Sequence, residues 1–132
     1  DNHQRMIELR AEKVERIALD IPAQEFSGPD TGDLLVLSWG GTYGACVTAA
    51  EHCREAGLSV AHAHLRHLNP FPANLGELLG NYRHVLIPEL NAGQLGMMIR
   101  AKYLLAPHAL NKMKGKPFAV SEIVDKINEI LK

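Results

Sequence analysis

The sequence predicts an α/β fold, a three-layer α/β/α arrangement around an open, mostly parallel sheet of about five strands. Three observations support this prediction. Short apolar runs of strand length alternate with segments whose apolar residues recur at helical spacing. Glycine and proline separate these segments repeatedly along the chain. The run at residues 34–37 is apolar without alternation, which is typical of a central strand covered on both faces.

Each element follows from its local pattern. The predicted strands are apolar segments that end at a polar, glycine or proline turn, at residues 33–40, 58–65, 84–90 and 108–113. The predicted helices carry apolar side chains every three or four residues, at residues 43–56, 73–82, 95–105 and 121–131. Gly57 should cap the first helix at its C-terminus, and Ser121 should begin the last, with Glu122 in the first turn. Because parallel strands need crossover connections, the helices should lie on both faces of the sheet.

The length and the pattern also predict the domain organisation. A chain of 132 residues is long enough for one well-buried domain. Residues 1–32 are predicted to form a helical arm and linker, with the helical pattern at residues 5–19, and residues 33–132 to form the α/β domain. The chain begins at Asp1 and opens on a segment without a core-like run. It is therefore expected to be a piece of a longer polypeptide.

Composition excludes several classes of function. Forty-six per cent apolar residues, 22% charged residues and a net charge of −1 lack the basic excess of a nucleic-acid or membrane-surface binder. No apolar run approaches the ~20 residues that cross a bilayer, and no signal-peptide pattern opens the chain. Cys46 and Cys53 lie about two helical turns apart, roughly 10.5 Å, too far for a disulfide. Two free thiols favour a reducing, cytoplasmic location.

Three loops should meet at one edge of the sheet. The loops at residues 39–44, 67–72 and 89–94 follow the carboxyl ends of predicted parallel strands, where such sheets meet ligands or partners. The second loop contains two prolines, which fix the backbone and present Asn69 and Phe71 on a stiff turn. The sequence therefore predicts a contact surface at this edge, although a plain strand-to-helix connector would use similar residues.

Each chemical signal has a competing structural interpretation. The GGTYG turn at residues 40–44 has the position of a phosphate-binding loop but matches no nucleotide-binding motif. His62 and His64 project from one face of a strand and, with His67, permit a metal site, but no ligand motif accompanies them. Ser38 lies inside an apolar strand without the turn that exposes a nucleophile, so no catalytic residue is predicted. Glu89 could contact a neighbouring subunit or cap the next helix.

Four separate blocks resemble a known family. They read LLVLSWGGTYG at residues 34–44, LRHLNPFP at 65–72, PELNAGQL at 88–95 and GKPF at 115–118. In this order they are similar to the C-terminal part of the α subunit of 2-oxoacid:ferredoxin oxidoreductases, particularly the 2-oxoglutarate enzymes. The similarity spans about residues 33–131. It implies a transketolase C-terminal-like α/β domain.

The resemblance also implies a function. Such enzymes use thiamine diphosphate, Mg²⁺ and iron-sulfur clusters to decarboxylate a 2-oxo acid oxidatively, with CoA as co-substrate and ferredoxin as electron acceptor. No motif for these cofactors occurs in this chain, so the resemblance implies a domain that packs against the other α-subunit domains and the β subunit and supports the active site. The expected interface residues lie in the second and third loops: Arg66, His67, Asn69, Pro70, Phe71, Pro72, Glu89, Asn91 and Gln94. The alternative function is a free-standing nucleotide- or small-molecule-binding module that uses the GGTYG turn.

Overall fold

Four parallel strands form the central sheet of the computed structural model, which describes residues 13, 16, 17, 20–90, 93–113 and 115–132. The strands are β1 (Gly32–Trp39), β2 (Val60–Leu65), β3 (Tyr82–Leu90) and β4 (His108–Lys112). Their spatial order is β2-β1-β3-β4, and every pairing is parallel. The predicted α/β class is confirmed, but the described part of the chain has four strands where about five were expected.

Helices cover both faces of this sheet. They are α1 (Tyr43–Glu55), α2 (Leu75–Gly80), α3 (Gln94–Tyr103) and α4 (Val120–Ile130), and a 3₁₀ turn (Gly40–Thr42) precedes α1. Helices α1 and α4 cover one face, and α2 and α3 cover the other. None of these helices is both long and apolar enough to cross a membrane; α1, with 13 residues, is the longest that the structure describes.

Strand β1 is the centre of the molecule. It pairs with β2 on one side and β3 on the other, and residues 34–37 are fully buried. Leu34 and Val36 pack beneath α1 and α4, whereas Leu35 and Leu37 pack beneath α2 and α3. A strand that is buried on both faces has no polar face, which explains why this run shows no alternation.

Helix ends depart from the predicted boundaries. Helix α3 stops at Tyr103, two residues early, because Leu104 takes a left-handed conformation with φ of 56°. Helix α4 begins at Val120 after Ala119, so Ser121 is not its N-cap. The carboxylate of Glu122 accepts a hydrogen bond from the Ala119 N–H at 2.9 Å, which is the N3 half of a capping box. A contact with the Lys112 ammonium lowers the pKa of that carboxyl.

The predicted C-cap of α1 is confirmed. Gly57 has φ of 91°, its N–H donates to the carbonyl of Arg54, and the N–H of Leu58 donates to the carbonyl of Cys53. These two bonds form a Schellman motif, for which glycine is favoured because it has no Cβ. The chain then turns directly into β2.

The linker before the sheet is attached to it. Ser27 forms an antiparallel bridge with His62 on the outer edge of β2, through bonds of 2.8 and 2.9 Å. Gln24 exchanges hydrogen bonds with Asn74, and the hydroxyl of Tyr82 donates to the carbonyl of Pro29. The predicted arm at residues 5–19 falls largely outside the described residues, and the domain boundary at residue 32 stays a prediction.

Both cysteines are free and buried on α1. Burial raises the pKa of Cys46 to about 12, despite hydrogen bonds from Thr42 and Ser38, and also raises that of Cys53. Because thiolates are the reactive form, we expect neither thiol to react with a thiol-specific reagent at pH 8 in the native protein. Both should react after unfolding. Rapid native labelling of either cysteine would show that α1 opens locally.

Candidate functional site

The carboxyl ends of β1, β2 and β3 form one rim, as the parallel topology requires. Trp39 and Leu65, the last residues of β1 and β2, are register partners. The indole N–H of Trp39 donates to the carboxylate of Glu89, near the end of β3, at 3.1 Å. The prediction that the loops after these strands share one edge is therefore confirmed.

Glu89 caps helix α3 from inside the molecule. Its side chain is only 2% exposed, and its Oε1 accepts the backbone N–H of Leu95 at 2.7 Å. Its Oε2 accepts the backbone N–H of Gly96 at 3.1 Å. The N-cap position belongs to Gly93, which has no side chain, so Glu89 supplies the acceptors that a capping residue would give. Of the two roles considered for Glu89, the structure shows helix capping.

The proline loop is partly a core element. Asn69 and Pro70 are joined by a cis peptide bond, and Phe71 is only 8% exposed. The Phe71 ring lies 5.9 Å from the ring of Tyr103 on α3, within the core beneath α2 and α3. The predicted role of Phe71 as an exposed anchor is therefore corrected. Its ring fixes the loop from below, and Pro72 is also buried.

The remaining predicted interface residues differ in exposure. Arg66, His67 and Asn69 are exposed at the rim, and Gln94 is exposed at the first position of α3. Pro70 is partly buried between them. Asn91 lies outside the described residues. The rim therefore carries exposed polar side chains at Arg66, His67 and Asn69, next to the buried side chains of Phe71 and Pro72.

A buried hydroxyl joins two histidines beside this rim. Ser38 Oγ lies 2.7 Å from His62 Nε2 and 2.8 Å from His64 Nδ1. A hydroxyl has one proton and two lone pairs, so at least one of the two rings must donate an N–H to Ser38. The ring of Tyr43, on the first residue of α1, lies 5.0 Å from the His64 ring and 5.7 Å from the His62 ring.

Burial keeps this histidine pair neutral. Desolvation, and then the charges of His64 and Arg54, lower the pKa of His62 to about 4. Desolvation, and then the charge of Arg66, lower that of His64. Ser38 is completely buried, so no substrate can reach its hydroxyl in this conformation. The arrangement has the contacts of a nucleophile and base but not the access that covalent catalysis needs.

A cavity of about 640 Å³ opens above the pair. Its walls are the linker, the end of β2 and the start of α1, and its polar side chains include Gln24, Glu51, His64, Arg66 and His67. Three predicted interface residues, Arg66, His67 and Pro72, therefore border a recess. Sequence reasoning placed His62 and His64 on one face of β2 but did not connect them to Ser38. Ser38 and His64 are register partners in neighbouring strands, and this pairing becomes visible only in the structure.

The described side chains give no support to a metal site. Among the described residues, no group of three histidine, cysteine, aspartate or glutamate side chains is arranged to hold a metal ion. A second histidine pair, His84 and His108 with ring nitrogens 3.1 Å apart, also lacks a third ligand there. The GGTYG segment forms the 3₁₀ turn and the start of α1, with Gly40 at φ of 63°.

Comparisons with known proteins identify relatives of this chain. No protein-family model matches the chain. The 2-oxoglutarate oxidoreductase subunit KorA of Mycobacterium tuberculosis is 48% identical over 124 residues, which are 92% of this chain and 18% of that subunit. The chain is homologous to the α subunits of 2-oxoacid:ferredoxin oxidoreductases. The α subunit of 2-oxoacid:ferredoxin oxidoreductase 2 from Aeropyrum pernix is 30% identical over 128 residues, 92% of this chain and 20% of that subunit.

Solved structures agree with the homology. The 2-oxoglutarate:ferredoxin oxidoreductase of Magnetococcus marinus, solved with 2-oxoglutarate, coenzyme A and succinyl-CoA bound, superposes with a TM-score of 0.87 and 28% identity. That match covers 99% of this chain and 23% of the solved chain. A split-gene transketolase, 14% identical over 81% of this chain and 41% of its own, has a TM-score of 0.61 and shows the transketolase C-terminal-like fold. This chain spans about a fifth of the length of the curated relatives it matches.

Proposed function

We propose that this chain is the transketolase C-terminal-like domain of the α subunit of a 2-oxoacid:ferredoxin oxidoreductase, and that it serves subunit assembly and support of the active site. The 48% identity to a 2-oxoglutarate oxidoreductase subunit carries the proposal. The TM-score of 0.87 to a 2-oxoglutarate:ferredoxin oxidoreductase supports it. Two buried thiols without a disulfide are consistent with the cytoplasmic location that belongs to the same proposal.

The reaction proposed for the intact enzyme is oxidative decarboxylation. A 2-oxo acid such as 2-oxoglutarate and CoA would give an acyl-CoA and CO₂, and the two electrons released would reduce ferredoxin. The M. marinus enzyme was solved with 2-oxoglutarate and CoA bound, which supports this substrate class. In the intact enzyme, thiamine diphosphate would supply the carbanion chemistry, and iron-sulfur clusters would carry electrons.

The residues that the structure describes do not fit an iron-sulfur cluster or a magnesium site. An iron-sulfur cluster usually takes four thiolates, whereas the chain has two cysteines, both buried on α1. Magnesium favours carboxylate and phosphate oxygens, and among the described residues no carboxylate cluster is arranged for it. The buried carboxylate of Glu89 is already occupied by three N–H donors. The proposal therefore assigns cofactor binding to other parts of the holoenzyme.

The proposed contact surface is the exposed part of the rim. Arg66, His67 and Asn69 project from a loop whose backbone is fixed by Phe71 and Pro72 beneath it. Ordering such a loop on binding costs little additional entropy, so polar contacts there yield more net affinity than they would on a mobile loop. Gln94 extends the same surface onto α3.

The test uses the intact α subunit and its partner subunit. Replacing Arg66, His67 and Asn69 together by alanine should weaken assembly about tenfold or more, a loss of ~1.4 kcal/mol. Subunit affinity and 2-oxoglutarate- and CoA-dependent reduction of ferredoxin should both be measured. Arg83→Ala is the matched control, because Arg83 is exposed at the amino end of β3 and far from the rim. A triple variant that assembles and turns over like the wild type would contradict the rim's role.

A further inference from the structure

One linker residue is bonded to both sides of the proline loop. The side-chain amide of Gln24 donates to the carbonyl of His64 at 2.8 Å, near the end of β2 and before the loop. The backbone N–H of Gln24 donates to Asn74 Oδ1 at 2.7 Å, directly before α2. The backbone carbonyl of Gln24 accepts from Asn74 Nδ2 at 3.2 Å. Residues 66–72, which carry most of the proposed contact surface, lie between these two attachments.

Asn74 bonds the linker in place of its own helix. It occupies the N-cap position of α2, where an asparagine side chain ordinarily accepts a hydrogen bond from the first turn. It forms no such cap bond here. Its amide instead pairs with the backbone N–H and carbonyl of Gln24, as a neighbouring strand would. The start of α2 is therefore tied to a segment fifty residues earlier in the chain.

The Gln24 side chain is held in one orientation. Its Nε2 also donates to the carbonyl of Glu25 at 2.9 Å, so both amide protons are bonded. Because carbonyl oxygens only accept, the two neighbours determine which end of the amide faces them. The linker already pairs with the outer edge of β2 through Ser27 and His62. Gln24 extends this attachment along the same edge to His64.

The loop between the attachments has little hydrogen bonding of its own. Among the described residues, the backbone of residues 67–71 forms no hydrogen bond with another backbone group. Leu68 and Phe71 pack against the core beneath α2 and α3, which holds the middle of the loop. Its two ends are held by the bonds that join Gln24 to His64 and Asn74. Restraining the ends reduces the conformations of the free loop and so the entropy lost on binding.

We propose that Gln24 and Asn74 couple the linker to the rim, so that attachment of the linker sets the shape of the loop that contacts the partner subunit. This inference rests on the proposed function, which assigns that contact to Arg66, His67 and Asn69. Coupling between two sites is reciprocal, so binding at the loop should in turn stabilise the attached linker. Gln24 and Asn74 are positioning residues, which act through the ends of the loop.

Limited trypsin digestion and subunit affinity test the proposal in the intact α subunit. Gln24→Ala combined with Asn74→Ala removes the bonds at both ends of the loop. Cleavage after the exposed Arg66 should then accelerate about fivefold or more, and affinity for the partner subunit should fall by a similar factor. Ferredoxin reduction at a saturating concentration of the partner subunit should be unchanged. A wild-type value of either the cleavage rate or the affinity would overturn the proposal.

Two further variants keep the experiment specific. Glu25→Ala is the matched control, because it truncates the next side chain of the linker, which is exposed and forms no hydrogen bond to a described residue of the loop. It should cleave and assemble like the wild type. Gln24→Ala alone removes the bond to His64 but leaves the backbone bonds to Asn74, so it should show part of both effects. If Glu25→Ala matched the double variant, any change in the linker would suffice and the proposal would fail.

Hydrogen exchange measures the reciprocal effect. The N–H groups of Ser27 and His62 each donate to the other residue's carbonyl, so their exchange reports detachment of the linker. A saturating concentration of the partner subunit should slow both about fivefold in the wild type. It should leave them unchanged in the variant that combines Gln24→Ala with Asn74→Ala. Equal slowing in both proteins would show that the partner subunit covers the linker directly, and would overturn the proposal.

The remaining outcomes separate this inference from the fold and from the proposed function. A double variant whose tryptic sites all cleave faster and whose Tm is much lower would show that Gln24 and Asn74 serve the fold as a whole, which overturns the coupling. Wild-type affinity after replacement of Arg66, His67 and Asn69 would overturn the proposed contact itself. Weakened affinity in that triple variant, with wild-type behaviour when Gln24 and Asn74 are replaced, would overturn this inference alone.

Discussion

Glu89→Ala is expected to lower the free energy of unfolding by about 3 kcal/mol, because a buried acceptor is removed from three donors at once. The indole N–H of Trp39 and the backbone N–H groups of Leu95 and Gly96 would lose their partner. Helix α3 would lose the side-chain acceptor that caps it among the described residues, since Gly93 has no side chain. A loss of this size should reduce Tm by roughly 10 °C, measured by calorimetry or circular dichroism.

Two variants make the Glu89 experiment specific. Glu89→Gln retains the shape and one carbonyl acceptor but turns an amide N–H₂ toward a donor, so it should fall between wild type and alanine. Glu77→Ala removes an acidic side chain from the first turn of α2, where it is exposed, and should change Tm by a degree or two at most. Equal stability of Glu89→Ala and wild type would show that water replaces the carboxylate without loss.

Stability should fall on acidification through a window set by His62. The ring has a pKa of about 4 in the folded protein and an ordinary value near 6.5 when unfolded. Between these values the unfolded chain binds a proton that the folded protein excludes, so the free energy of unfolding decreases as the pH falls from 6.5 to 4. The loss attributable to His62 is about 3 kcal/mol. His64 and His108, whose pKa values are also lowered, act in the same direction.

Urea unfolding at half-unit steps between pH 7 and pH 4.5 measures this dependence. His62→Gln keeps a hydrogen-bonding group near Ser38 but cannot be protonated, so its unfolding free energy should vary much less with pH. His52→Gln changes an exposed histidine on α1 and should reproduce the wild-type profile. A His62→Gln profile as steep as that of the wild type would place the acid sensitivity elsewhere.

The fold was predictable because its strands and helices have strong local patterns of apolar residues. The uninterrupted apolar run of β1 specified a central strand, and once the strands were parallel the three loops had to share an edge. Helix ends were less predictable, because they depend on distant or conformational features. Glu89 caps α3 across the end of a strand, and Leu104 ends the same helix through its backbone angle. Neither feature has a local sequence signature.

The candidate site was predicted in position but only partly in detail. The prolines predicted a stiff loop, yet an aromatic residue between two prolines can point outward or inward with equal local propensity. Phe71 points inward because the groove beside Tyr103 buries its ring. The link between Ser38 and His64 needed the strand register, which one sequence does not supply.

The bridge between Ser27 and His62 has a consequence for self-association. A sheet with open margins can recruit an extended segment from another molecule, the route by which many β-rich proteins precipitate. At the outer edge of β2, the backbone N–H and carbonyl groups of His62 are already hydrogen-bonded to Ser27 of the same chain. Residues 22–27 also lie beside this edge and narrow the space through which another strand could reach it. The linker therefore also protects this margin against intermolecular strand addition.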